Sequence, residues 1–180
     1  MTGWLLDTNI LSELRRPRPE PKVVAFAATQ PLDSLFISAV TLAEIRFGIE
    51  LVADAERRAE LNDWLTHKVR PKFDQRVLPI TEDIMFKWRF LVEDDRKAGR
   101  TFSQPDLIIA ATALEHGLTV VSRDTTDYER ARVPVLNHRA LVRTVGLEPT
   151  RDCSQGILSP LRLPFRHVRM GRFWNALRAI

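Results

Sequence analysis

Cysteine is almost absent from this chain: Cys153 is the only one in 180 residues. One thiol excludes an intramolecular disulfide framework and any cysteine-rich zinc site. Cys153 has no histidine near it in the sequence, which argues against a catalytic thiol. Long apolar runs are also missing. Charge interrupts every hydrophobic stretch well before the roughly 18–20 residues that a membrane span needs. The N-terminus lacks the cationic lead-in of a secretory signal, since Met1-Thr2-Gly3-Trp4-Leu5-Leu6 runs straight into Asp7. No segment recurs at solenoid spacing. The four histidines, His67, His116, His138 and His167, show no metal-binding spacing and read as surface or packing residues. With 44% hydrophobic and 28% charged residues, the chain is too apolar to be disordered throughout and polar enough to dissolve. The expectation is a soluble, cytoplasmic protein with one main domain and no membrane partner.

Positive charge is in excess but unevenly placed. The formal net charge is +4, yet residues 143–180 hold seven arginines against Glu148 and Asp152, which leaves residues 1–142 at −1. Basicity therefore belongs to the C-terminal segment and says little about the main domain. That segment also holds three of the eleven prolines and no hydrophobic periodicity. It reads as an irregular basic tail in which only Phe173 to Ile180 could make a short helix. The division expected is a main domain over 1–142 and a tail over 143–180. The tail either adds affinity for phosphates through its arginines or docks Phe165, Phe173, Trp174, Leu177 and Ile180 on the domain.

Within the main domain, short apolar runs alternate with helical patterns. Strands are expected at 3–6, 35–37, 77–80, 118–121 and 133–136, the last on an edge because Pro134 is tolerated there. Asp7-Thr8-Asn9 can cap a first helix that ends before Pro17. Pro21 can open a second, with Val23, Val24, Phe26 and Ala27 inward. The spacing of Val40, Ala43, Ile45, Phe47 and Leu51 predicts an inner helical face over 39–52. A charged amphipathic helix is expected over 55–70, stopping at Pro71. Thr81-Glu82-Asp83 opens a long helix that Gly99 ends, and Pro105 opens another that Gly117 ends. Trp4, Trp64, Trp88 and Phe90 read as core or interface residues. Such alternation predicts an α/β fold with a mostly parallel sheet.

In open parallel sheets, ligands bind beyond the carboxyl ends of the strands. Asp7 follows the first strand and Asp124 the fourth. Asp106 begins a helix whose body is apolar, and Glu44 lies in the helix after the second strand between Ala43 and Ile45. Each alone has a plain explanation as a helix cap, a dipole partner or a solvated residue. Together they would repel one another, and a hard divalent cation with oxygen ligands would offset that repulsion, as magnesium does through one or two carboxylates, waters and a substrate phosphate. Spacing alone leaves both readings open. Arg15, Arg16 and Arg18, after the first helix, could contact phosphates or simply be solvated.

Four segments carry a resemblance: Leu5-Leu6-Asp7-Thr8-Asn9, Ser38 to Gly48 (SAVTLAEIRFG), Asp106 to Ala113 (DLIIAATA) and Ser122-Arg123-Asp124-Thr125. In this order and spacing the chain, over about residues 3–138, resembles the PIN-domain nucleases. Within them it is similar to the VapC toxins of VapBC toxin–antitoxin modules, especially the FitB-like branch. The resemblance implies a three-layer PIN-like fold and a magnesium-dependent ribonuclease toxin, with manganese as an alternative ion. It places Asp7, Glu44, Asp106 and Asp124 in an acidic catalytic cluster, with Asp7, Asp106 and Asp124 as metal ligands. Thr8, Asn9 and Thr125 match supporting polar positions, where Thr8 or Thr125 either bonds a carboxylate or the attacking water, or caps the next helix. It further implies a VapB-like antitoxin that blocks the acidic site and contacts DNA on the pair's behalf, an RNA substrate, and a homodimeric toxin. The competing expectation is a non-catalytic PIN-like module whose acidic pocket receives a partner's arginine. A magnesium phosphotransfer enzyme lacks an evident nucleophile motif.

Overall fold

The computed structural model describes residues 3–99 and 103–137. The basic tail, His138, Cys153 and His167 therefore lie outside the described residues. Five strands are present: β1 (Trp4–Leu6), β2 (Leu35–Ser38), β3 (Val77–Leu78), β4 (Thr119–Ser122) and β5 (Val135–Asn137). They form one sheet in the order β3-β2-β1-β4-β5, every neighbouring pair parallel. Leu5 stands opposite Phe36 on one side and Val120 on the other. β3 is shorter than the expected 77–80, and β5 starts two residues later than expected because Pro134, which has no N–H, precedes it.

Both faces of the sheet are covered, and the two-residue alternation of strands explains how. Leu6, Leu35, Ile37 and Val121 point to one face and pack with α1 (Thr8–Leu14), α2 (Pro21–Thr29), most of α3 (Ala39–Glu50) and α4 (Ala55–Trp64). Leu5 and Val120 point to the other face and meet Ile109, Ala110 and Ala113 of α7 (Gln104–His116) and Tyr128 of α8 (Thr126–Arg130). The long α6 (Glu82–Lys97) packs beside α7. Leu5, Leu6, Val120 and Val121 are fully buried, each stabilising the fold by roughly 1.5–3 kcal/mol. Trp4 is half-buried; its Nε1 donates to Gln30 Oε1 at 3.0 Å and its ring meets Phe26 edge-on.

Helix boundaries follow local chemistry. Ser38 Oγ caps α3 by accepting from the Thr41 N–H at 3.2 Å, and Thr81 Oγ1 caps α6 through the Ile84 N–H at 3.3 Å. Gly117, at φ +61°, ends α7. Two expectations are corrected. The helix after residue 55 does not stop at Pro71: a wider π turn spans Leu65–Val69, and α5 (Arg70–Lys72) carries Pro71 in its first turn. The Phe73 N–H returns to Val69, so pairing resumes past the proline without needing its missing N–H. In α3 the expected Val40 and Ile45 are buried and Leu42 and Ile49 join them, while Ala43 is exposed and Phe47 and Leu51 are 66% and 70% exposed. Phe90 likewise points outward, stacked edge-on against Phe86, whereas Trp64 is core and Trp88 half-buried.

Candidate active site

Chain direction across the sheet reverses at β1, whose neighbours β2 and β4 are reached by connections covering opposite faces. Such a switch point leaves a crevice at the strand ends. A cleft of about 420 Å³ opens there, lined by Asp7, Thr8, Asn9, Glu44, Asp106, Asp124, Asp127 and Tyr128, with Ser12, Glu13, Arg16 and Arg123 at its edge. All four carboxylates singled out from the sequence therefore meet in one place, together with Asp127, which the sequence reading did not single out.

Asp7 anchors the site. Its N–H continues the sheet to the Val121 carbonyl at 3.1 Å, and its side chain caps α1 by accepting from the Thr8 N–H at 2.6 Å. The second carboxylate oxygen accepts from Asn9 Nδ2 at 2.7 Å and from Ser122 Oγ at 2.6 Å. Ser122, fully buried at the end of β4, also accepts from Asn9 Nδ2 at 2.9 Å and from the Asp124 N–H at 3.1 Å. One donor and two lone pairs are thus all used. Asn9 completes the knot by accepting from the Arg123 N–H at 3.1 Å. This network ties the start of α1 to the loop after β4 and fixes Asp7, which is only 5% exposed. Ser122 was quoted within a motif, but its role was not legible from sequence, because it depends on β1 and β4 being neighbours.

The other carboxylates are held less tightly. Glu44 Oε2 accepts from Thr8 Oγ1 at 3.0 Å, so the Thr8 hydroxyl serves a carboxylate and the cap of α1 falls to Asp7. Asp106 stands in the first turn of α7. Asp124, exposed, accepts from the Thr126 N–H at 3.4 Å. Asp127 pairs with Arg130 at 3.5 Å. Thr125 stands apart: its hydroxyl makes no capping bond to α8, and it does not line the cleft. Of the three arginines after α1, Arg16 lines the cleft while paired with Glu13 at 2.8 Å, and Arg15 stacks over Trp64.

Electrostatics reflects this crowding. Burial pushes the Asp106 carboxyl up to about 6, and the charges of Asp7, Glu44 and Asp127 add to the effect. Burial raises Asp7 too, with Glu44 contributing, although the hydrogen bonds from Ser122 and Thr8 oppose the shift. The donor set is all oxygen and carries unrelieved negative charge, which fits a hard cation. Among the described residues no three acidic, histidine or cysteine groups are gathered closely enough to enclose an ion by themselves. The fit is to a cation held by one or two carboxylates, with water or a substrate phosphate completing its shell, as magnesium is usually held.

A doubly wound parallel sheet with an acidic cleft at its switch point defines an α/β protein whose ligand site lies beyond the strand ends. The PIN domain profile matches residues 4–133, and the chain belongs to the PIN-domain family. Its relatives include a VapC ribonuclease and a toxin. It is 35% identical over 133 residues to VapC ribonuclease Y4jK of Sinorhizobium fredii, covering 74% of this chain and 95% of the relative. It is 36% identical over 133 residues to toxin FitB of Neisseria gonorrhoeae, covering 74% and 96%. The crystal structure of FitAcB from Neisseria gonorrhoeae superposes with a TM-score of 0.72 at 35% identity, over 76% of this chain and 99% of that one. FitAB bound to an IR36 DNA fragment superposes with a TM-score of 0.70 at 34% identity, over 75% and 94%. Among the described residues no helix is long and apolar enough to cross a membrane.

Proposed function

We propose that the protein is a magnesium-dependent endoribonuclease that acts as the toxin of a toxin–antitoxin pair. The observation that carries this is the convergence of Asp7, Glu44, Asp106 and Asp124 on one cleft at the switch point of a PIN-family sheet. One or two of Asp7, Asp106 and Asp124 would hold magnesium, or manganese in its place, with water or a substrate phosphate completing its shell. Bound there, the ion supplies Lewis-acid polarisation of the scissile phosphate and a lowered pKa for attacking water. The chain's own residues do the rest. The Ser122–Asn9 clamp keeps Asp7 in one rotamer, Thr8 orients Glu44, and Asp124 or Asp106 orients the attacking water. The FitB toxin relative and the FitAB neighbours, one of them bound to DNA, support an antitoxin partner. In this reading the antitoxin places a basic residue among these carboxylates and contacts DNA on the pair's behalf, and the toxin pairs as a dimer.

The test is a magnesium titration against a panel of fluorescent RNAs. Asp7→Asn and Asp106→Asn are each expected to lower cleavage at least a hundredfold while circular dichroism stays unchanged. Undiminished cleavage by either purified variant overturns the catalytic assignment.

A further inference from the structure

Six carboxylates and two guanidiniums line the cleft, so a strand of RNA entering it meets net negative charge. A cation on the aspartates answers the phosphate it touches, but not the phosphates on either side. One of the two guanidiniums is already committed. Arg16 pairs with Glu13 at 2.8 Å, and Glu13 also accepts from the Glu20 N–H at 2.9 Å. Arg123 differs: it is exposed at the rim, and among the described residues its guanidinium makes no ion pair and no hydrogen bond. The acids that follow it are taken up elsewhere, Asp124 by the Thr126 N–H at 3.4 Å and Asp127 by Arg130 at 3.5 Å.

The head of this side chain is free, but its root is not. The Arg123 N–H donates to Asn9 Oδ1 at 3.1 Å, and the next N–H, of Asp124, donates to Ser122 Oγ at 3.1 Å. The Cα is thus pinned on both sides to the network that fixes Asp7, so the guanidinium starts from a set place beside the carboxylates. A guanidinium held there without an anion of its own is matched by an anion that arrives with the ligand. Its planar fork takes two phosphate oxygens at once. Asp7, 5% exposed, marks the floor where the reacting phosphate belongs, whereas Arg123 stands at the rim and faces the strand further along. We infer that Arg123 binds a backbone phosphate of the RNA flanking the one that is cut, a positioning contact that sets the strand's register in the cleft. This inference rests on the ribonuclease reading above.

Arg123→Gln removes the charge and keeps most of the side chain's length. Arg70→Gln, at an exposed arginine of α5 that does not line the cleft, controls for lost charge alone. Binding is read by fluorescence anisotropy of a labelled single-stranded RNA oligonucleotide across a potassium chloride series. An Asp106→Asn background keeps the probe intact, and cleavage is read in the otherwise unaltered chain. Arg123→Gln is expected to weaken binding about tenfold and to make the slope of log affinity against log salt shallower by about 0.7. Arg70→Gln is expected to move neither. For Arg123→Gln, KM should rise about tenfold with kcat within twofold, because the contact lies away from the bond that breaks, and the melting temperature should hold. Affinity within twofold of the parent overturns the inference, and so does an equal loss in Arg70→Gln. A fall in kcat at unchanged KM also overturns it, since Arg123 would then act at the reacting phosphate. If the parent binds but cuts no RNA while Arg123→Gln still lowers affinity and slope, the ribonuclease reading falls and the phosphate contact stands. If the parent binds no RNA, both fall.

Discussion

Two aspartates in one cleft are held in opposite ways, and their substitutions separate accordingly. Asp106 has little to relieve its burial among like charges, so ionising it costs the folded state. Its folded pKa of about 6 lies above the ordinary aspartate value of 3.8. The folded protein therefore keeps a proton that the unfolded chain has lost. Stability from this group is greatest below pH 4, falls as pH rises through that window and is lowest above pH 6. In EDTA at pH 7.5, Asp106→Asn is expected to stabilise the protein by on the order of 1 kcal/mol after solvent screening, and to have no effect at pH 3.5. Urea denaturation at the two pH values checks this. Asp7→Asn should yield a smaller gain, because an amide cannot accept from Thr8, Asn9 and Ser122 together. Ser122→Ala removes the centre of the clamp and leaves three polar groups short of a partner. It is expected to cost about 2–3 kcal/mol and to reduce cleavage, measured by melts and the RNA assay together.

At the scale of elements, each carboxylate depends on where a helix begins. Asp7 caps α1, Glu44 lies in the second turn of α3, and Asp106 lies in the first turn of α7. The far ends of these helices matter for stability alone. Gly117 ends α7 in the left-handed region, and a Cβ there would meet nothing within 4 Å. Gly117→Ala is thus expected to cost about 1 kcal/mol purely through backbone conformation, with RNA cleavage unchanged. A thermal melt beside an activity assay checks both halves. α3 is the element whose sequence pattern misleads most. Phe47 and Leu51 share the spacing of Val40 and Ile45, which are core, yet lie on the solvent side because the cores are met by Val40 at the start of the helix and by the Leu42–Ile45–Ile49 stripe.

For the whole molecule, the VapC ribonuclease and FitB toxin relatives match 133 residues of this chain, 95–96% of their own lengths. Among the described residues, which run to Asn137, five strands form one sheet with a hydrophobic core on each face. A chain ending at residue 142 is therefore expected to melt within a few degrees of the full chain and to retain its magnesium-dependent cleavage. RNA binding by the full chain should fall more steeply with salt than that of the shortened one, because the tail's seven arginines each displace counterions from phosphates. Insolubility or a large loss of melting temperature on truncation would instead make the tail part of the core.

Strand positions, most helix starts and the four carboxylates were legible in the sequence, because each leaves a local mark. Leu5-Leu6 and Val120-Val121 are apolar on both faces of the pleat, Thr81 and Pro105 announce helix starts, and Asp7 follows a strand. The helical run through Pro71 was not legible, because a π turn arises from the packing of Leu65 and Val69 rather than from residue type. Nor were the roles of Ser122, Asp127 and Tyr128. Ser122 bonds Asp7 across 115 positions of chain, and that contact exists only because β4 lies beside β1. Tyr128 is a core residue that also lines the cleft, and no local pattern distinguishes the two roles. Local propensity and periodicity act over a few residues, so they place elements and their ends. Strand order brings distant side chains within hydrogen-bond reach, and it decided which polar atoms of the cleft are tied together.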